Sequence, residues 1–417
     1  MDVLISPNRR FDAQALQALC DTLHRTYVAD GPLPHMQIAI QADGVTVLQA
    51  TMGAARENGA PLRPDALYRI ASMTKPVTSV AFLMLMEQGK VAPDTLVKAI
   101  LPEFSDLRVM QGVSEGALIT RPCNRDMTML DLLIHTSGLT YSFQNRTPID
   151  RLYAEQQLDV FHQKRSPEEY LRALADIPLE FSPGEAWNYS VSTDVLGIVV
   201  ERISGQSLDA FFAQNIFAPL GMEDSFFVVP PDKLHRLTDA WMVRDSGEIT
   251  VYDRGEGSRW RMAPRTFSGG GGLVSSCTDY LRFGQMLLEG GELGGVRLLQ
   301  PETVAMMTRN HLPDGGDLTT WSRSMFSESG NEGVGFGLGV SVAVDPSRNR
   351  VPASPGEYRW GGLLSTSFFV DPVERLVVVM MTQLLPSSAT NVRASLNHLV
   401  HGALNARRGG KSSGRSG

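Results

Sequence analysis

Strand-type alternation is confined to the two ends of this 417-residue chain. Near the start, Met36 to Ile40 and Val45 to Thr51 alternate in the manner of strands, with Ala42-Asp43-Gly44 as a hairpin signal between them. Near the end, Tyr358 to Gly362, Thr366 to Val370 and Leu376 to Thr382 form an antiparallel meander, and Val334 to Val344 reads as one glycine-rich strand. From about Leu96 to Arg265, helical periodicity and polar loops dominate instead. This pattern predicts an α+β architecture. One discontinuous sheet domain, 1–95 with 266–405, carries a mostly helical domain, 96–265, as an insertion, and 406–417 is a polar, disordered tail. A cleft between two such lobes is the natural place for a site.

Helices are expected at Phe11 to Tyr27, Pro167 to Ala175, Ser192 to Ile203, Thr278 to Leu288 and Ala389 to Leu404. Ser166 and Glu169 spell a capping box ahead of the second of these. Asp232 to Pro264 is a long, polar excursion with scattered aromatics.

One short run concentrates the chemistry. Ala71-Ser72-Met73-Thr74-Lys75-Pro76 follows a strand, Leu67 to Ile70, and opens an apolar helix, Val77 to Gln88. Residues three apart share a helix face, so Ser72 and Lys75 bring a hydroxyl beside an amine. Pro76 lacks an N–H and fits only in a first turn, which pins the helix start near Ser72. Free N–H groups and the positive end of the macrodipole there suit a developing oxyanion. Ser72 therefore reads as a nucleophile and Lys75 as its base partner. The chain has only six lysines, so this amine is one of few. A lone Ser-x-x-Lys match fixes two positions, and other segments must support it.

Two segments do. Tyr189 lies between a turn and a helix start, where a phenol can project into a cleft and share a proton with Lys75. A core tyrosine is an equal reading of the same residue. Trp360-Gly361-Gly362 opens a strand at paired glycines that let backbone approach a ligand. The Leu363 N–H just beyond can complete an oxyanion hole with that of Ser72. Locally, the glycine pair reads as a β-turn. Tyr141, Phe143 and Trp360 are candidate walls of an acyl pocket, with plain core packing as the alternative.

Other motifs weigh less. Gly112-Val113-Ser114-Glu115-Gly116 matches the G-x-S-x-G elbow, but no helix pattern follows Ser114. His135 reads as a buried or capping residue in a turn. His398 and His401, one helical turn apart, have no third ligand in view and read as a solvated face. Glycines 269–272 lack the lysine of a phosphate loop and read as close backbone packing. Cys20, Cys123 and Cys277 form neither a disulfide framework nor a metal spacing. A formal net charge of −7 argues against nucleic acid or an anionic membrane as partner. With neither a signal pattern nor an apolar run of about 18 residues, a cytoplasmic location is expected.

Taken together, Ser72-Met73-Thr74-Lys75, Tyr189-Ser190-Val191 and Trp360-Gly361-Gly362 resemble the serine β-lactamase and penicillin-binding superfamily. The resemblance runs from about Phe11 to Leu404. It includes Arg69 to Lys75, Leu132-Leu133-Ile134-His135-Thr136-Ser137-Gly138-Leu139 and Ser268 to Ser276. Within that superfamily the chain is most similar to the family VIII carboxylesterases, relatives of the class C β-lactamases, and also to the lovastatin-type acyltransferases. The resemblance implies a β-lactamase-like fold, an acyl-enzyme on Ser72, catalysis by Ser72, Lys75 and Tyr189, and no cofactor or metal. Tyr189-Ser190-Val191 stands where class C enzymes have Tyr-Ala-Asn, and Trp360-Gly361-Gly362 where they have Lys-Thr-Gly. Trp360 offers no ammonium for a lactam carboxylate, and Arg359 should point to the opposite strand face. The expected substrate is thus a neutral ester with an apolar acyl group of small to medium size, and weak β-lactam hydrolysis is compatible with the same acylation machinery. The rivals are a β-lactamase or D,D-peptidase, an acyltransferase, and an acyl-binding sensor without turnover.

Overall fold

Strands from the two ends of the chain share one eight-stranded sheet. The computed structural model describes residues 1–6, 8–323 and 332–410. Its main-sheet strands are β1 (Asp2–Ile5), β2 (His35–Ala42), β3 (Val45–Gly53), β4 (Val334–Phe336), β5 (Ser341–Ala343), β6 (Tyr358–Gly361), β7 (Ser367–Asp371) and β8 (Leu376–Met381). They lie in the order β1-β3-β2-β8-β7-β6-β5-β4, every neighbouring pair antiparallel. The seam is β2 on β8, with Ile40 opposite Val378. Asp43 and Gly44, at φ 50° and 77°, join β2 to β3. Positive φ at both central residues is what a two-residue turn of this hand requires.

Both faces of β8 are covered, and its side chains divide by parity. Val377, Val379 and Met381 enter the larger core. Leu376, Val378 and Met380 enter a second core, beneath α1 (Ala13–Leu23) and a long C-terminal helix. Leu16, Leu19, Cys20 and Leu23 of α1 are all buried there, as their helical spacing predicts. On the opposite face lies a helix formed by Cys277–Leu288. It runs so close that a Cβ on Gly284 would stand 2.5 Å from Val377 Cγ1.

Several expectations are corrected. Val334 to Val344 is the hairpin β4–β5, because Gly339 at φ 87° turns the chain back. The C-terminal helix is Val392–Gly410, so residues 406–410 are helical rather than disordered. Ala406, Arg407 and Arg408 are good helix formers that prolong it. Residues 411–417 of the expected tail lie outside the described residues. The middle stretch also contains strands. Arg108–Ser114 pairs with Ala117–Pro122, and Ala240–Val243 pairs with both Ile249–Asp253 and Leu384–Leu385. The polar excursion is thereby anchored. Buried Arg69 donates to Asp253 Oδ2 at 2.7 Å and to Thr238 O at 2.7 Å. Among the described residues, no helix is long and apolar enough to cross a membrane.

Candidate active site

The strand Leu67–Arg69 pairs with Val274–Ser276 and delivers the chain to a short turn, Ala71–Met73. Ala71 adopts φ 44°, an uncommon left-handed geometry for a residue with a Cβ. The helix α2, Thr74–Glu87, starts directly after it, with Pro76 in its first turn. Its residues Thr74 to Leu83 are all buried. A helix buried on every side belongs to the core, so the Ser72 turn at its start is held from all directions.

Lys75 has no solvent exposure, and Ser72 has 8%. The Lys75 Nζ lies 3.4 Å from Ser72 Oγ, 3.0 Å from the Tyr141 hydroxyl and 2.7 Å from Gly270 O. It also stands over the Tyr189 ring, 4.6 Å from the centroid. Burial pulls the Lys75 pKa down from 10.5 to about 7, opposed by the carboxylate of Asp194. Asp194 belongs to a helix formed by Ser192–Ser204. It accepts from Ser268 Oγ at 2.5 Å and from Gly270 N–H at 3.1 Å. Burial raises the Asp194 pKa, and Lys75 opposes that rise. Asp194 thus holds the strand-side loop whose Gly270 carbonyl holds Lys75.

Glycines 269–272 explain themselves in this setting. A Cβ on Gly270 would run into the Asp194 carboxylate, and one on Gly269 would lie 2.7 Å from Thr193 O. Close packing, as expected from sequence, accounts for the run.

The Tyr189 phenol is buried, which raises its pKa, and the adjoining Ser72 and Trp360 side chains hydrogen-bond to it and oppose the rise. Its backbone is fixed by Gln144 Nε2, which donates to Tyr189 O at 2.7 Å, and by Val191 N–H, which donates to Thr140 O at 3.2 Å. Trp360 packs on Tyr189 with ring centroids 5.4 Å apart. Tyr141 and Phe143 stack at 4.9 Å, with Phe143 46% exposed at the rim.

The Gly361–Thr366 segment lies against the Ser72 turn. Thr366 Oγ1 donates to Ile70 O at 3.3 Å, and a Cβ on Gly362 would strike that same carbonyl. Leu363, half-buried, therefore follows a glycine pressed onto the backbone two residues before Ser72.

Ser72, Lys75, Tyr189, Trp360 and Tyr141 are brought together. The Tyr141 hydroxyl, expected only as part of a pocket wall, lies at hydrogen-bonding distance of Lys75 Nζ. Tyr141 thus bonds the buried amine as well as stacking on Phe143. Asp194 was missed at the sequence level. Its one local signal is a carboxylate opening an otherwise apolar helix, Val195-Leu196-Gly197-Ile198.

The remaining motifs fall elsewhere. Ser114 is exposed at a hairpin turn whose Glu115 and Gly116 have φ 52° and 82°, and a strand rather than a helix follows. His135 is fully buried, its Nδ1 3.1 Å from Ser190 Oγ, and burial beside Lys75 pushes its pKa well down. His398 is exposed, but His401 is not on a solvated face. Its Nε2 lies 3.1 Å from Glu357 Oε2. Glu357, Asp371 and His401 place donor atoms within 4.8 Å of one another. Those atoms already have partners: Arg359 on Glu357, and Ser354 Oγ with the N–H groups of Val373 and Glu374 on Asp371. We read them as a buried polar cluster. Arg359 turns to Glu357 and Phe369, away from Trp360.

A Beta-lactamase family model matches residues 20–402. Esterase EstB of Burkholderia gladioli is 33% identical over 390 residues, covering 89% of this chain and 91% of EstB. Among solved structures, unliganded simvastatin synthase (LovD) of Aspergillus terreus superposes with a TM-score of 0.78 at 27% identity, over 94% of this chain and 98% of that one. EstCE1, described as a hydrolase with promiscuous acyltransferase activity, shares the fold with a TM-score of 0.78 at 24% identity, over 93% and 99% of the two chains. The chain belongs to the beta-lactamase family.

Proposed function

We propose that the protein is a serine carboxylic ester hydrolase of the family VIII type, acting on small to medium acyl esters through a Ser72 acyl-enzyme. One observation carries the reading: the environment of Lys75 Nζ. A neutral amine has two N–H donors and one lone pair. Gly270 O and the Tyr141 hydroxyl take the donors, at 2.7 and 3.0 Å, and the lone pair is left for Ser72 Oγ at 3.4 Å. A pKa of about 7 makes the neutral form abundant at ordinary pH.

Ser72 gives its proton to Lys75 as Oγ attacks the ester carbonyl. The N–H groups of Ser72 and Leu363 receive the oxyanion. Collapse breaks the bond to the alcohol oxygen, and the proton held by Lys75 returns to that alkoxide through Tyr189. Water, deprotonated by the same groups, then attacks the acyl carbonyl and releases the acid and Ser72. The aromatic walls Trp360, Tyr141 and Phe143 suit a neutral substrate. EstB, by its name an esterase, supports this reading. The likeness to a simvastatin synthase supports acyl transfer to an alcohol as a second outcome of the same acyl-enzyme.

The test is p-nitrophenyl butyrate turnover by wild type, Ser72→Ala, Tyr189→Phe and Ser114→Ala. Loss in the first two and full activity in the third is expected. Activity surviving Ser72→Ala, or lost in Ser114→Ala alone, refutes the assignment. Added acceptor alcohols reveal transfer as new ester in the product.

A further inference from the structure

The C-terminal helix carries a cation at the wrong end. Arg393 is the second residue of Val392–Gly410, where the positive pole of the macrodipole disfavours a guanidinium. Burial adds to the strain on its charge and pulls its pKa down to about 9, opposed by Tyr189. A local rule broken this way marks a position kept for another reason.

The reason is visible in what the guanidinium touches. Arg393 donates to Thr366 O at 2.9 Å and, more closely, to Gly362 O. These two carbonyls bracket the turn that contains Leu363. The turn is closed on itself by Gly362 N–H to Thr366 O at 2.9 Å and by Ser365 N–H to Gly362 O at 2.9 Å. The guanidinium also lies flat against Gly361, where a Cβ would stand 2.7 Å from its central carbon. Each glycine of the Trp360-Gly361-Gly362 run therefore has its own cause. Gly361 makes room for Arg393, and Gly362 makes room for Ile70 O and Thr366 Oγ1. Both bonds leave the same nitrogen, Nη2, so one planar group ties the Gly362 and Thr366 carbonyls together.

We infer that Arg393 is a positioning residue for acyl transfer: by gripping the Gly362 and Thr366 carbonyls it aims the intervening Leu363 N–H at the developing oxyanion above Ser72. The inference rests on the esterase reading. An oxyanion donor acts mainly on the transition state, so its misplacement lowers kcat and leaves KM nearly unchanged.

The experiment compares wild type, Arg393→Met and Arg393→Lys by steady-state p-nitrophenyl butyrate kinetics, with thermal unfolding recorded alongside. Removal of an oxyanion donor costs about 100–1000-fold in kcat; misaiming one should cost about 10–100-fold in Arg393→Met, with KM within about twofold. Arg393→Lys keeps a cationic donor but loses the planar group that fills the space beside Gly361, and should recover part of that loss. A kcat within about twofold of wild type in Arg393→Met, or a loss expressed only in KM, overturns the inference. If Arg393→Met fails to fold, Arg393→Lys decides: a kcat reduced at least about threefold at unchanged KM supports the role, and a wild-type kcat overturns it. Wild-type protein without Ser72-dependent turnover would sink the esterase reading and this inference with it. An active wild type with an indifferent Arg393→Met would sink the inference alone.

Discussion

Replacing Lys75 by methionine should abolish activity and, at mildly acid pH, make the protein more stable. An unfolded lysine stays charged up to about pH 10.5, whereas burial brings the folded pKa to about 7. At about 1.4 kcal/mol per pH unit, that difference costs the folded state about 5 kcal/mol. The sign follows from proton counting. Between pH 7 and 10.5 the unfolded chain binds more protons than the folded one, so stability rises with pH across that window. Below pH 7 the full penalty is present, because the folded protein must bury the charge.

Methionine fills similar space without a charge. It forfeits the bonds to Gly270 O and the Tyr141 hydroxyl, worth about 1 kcal/mol each. Lys75→Met should thus exceed wild type by about 3 kcal/mol near pH 6, and by close to zero near pH 9. Urea unfolding of both proteins at the two pH values reads this directly, and taking the difference between them cancels the other titrating groups. A variant less stable than wild type at pH 6, or a gap that does not change with pH, would show that Lys75 remains charged in the fold. The lysine could then not serve as the base.

Two further outcomes follow from the same site. The acid limb of kcat/KM should lie near pH 7 in wild type and move to lower pH in Asp194→Asn, because the carboxylate raises the Lys75 pKa; a pH–rate profile in which the limb stays put refutes the coupling. Tyr141→Phe removes the acceptor 3.0 Å from Lys75 Nζ and should lower kcat by about 10–100-fold with an unchanged circular dichroism spectrum; undiminished turnover refutes a role for this bond in orienting the Lys75 lone pair.

What could be read from the chain was local. Ser72, Lys75 and Pro76 lie within a single helical turn, so spacing alone brings hydroxyl and amine together. Asp43-Gly44 announces its own turn, and Ser166 with Glu169 its own cap. Most of the sheet formed from both ends was legible because its strands are short apolar or alternating runs bounded by turn residues, although β1 went unread. What stayed hidden depends on distant partners. Tyr141 is 66 positions from Lys75, and nothing beside it in the chain distinguishes a phenol that bonds the buried amine from a plain pocket wall. Asp194 acquires its meaning from Gly270, 76 positions on, and Arg393 from Gly362, 31 positions back. His401 looked solvated because its helix repeats every turn, while the buried Glu357 that it meets belongs to another segment. The strands Ala240–Val243 and Ile249–Asp253 escaped notice because they are four and five residues long, a charged turn separates them, and their third partner is Leu384–Leu385.

The seam between β2 and β8 also sets a clock. Ile40 and Val378 are partners separated by 338 positions (378 − 40). At about 5–20 residues per second, a ribosome needs roughly 20–70 s to make the second after the first. Through that interval β2 shows an open edge and α1 lacks the partner helix that closes its core, while the Ser72 turn waits for the 361–366 segment that packs against it. A nascent chain stalled before β6 would therefore carry Ser72 and Lys75 without the 361–366 backbone that packs against their turn. Its unpaired edge would invite other chains until the final strands arrive.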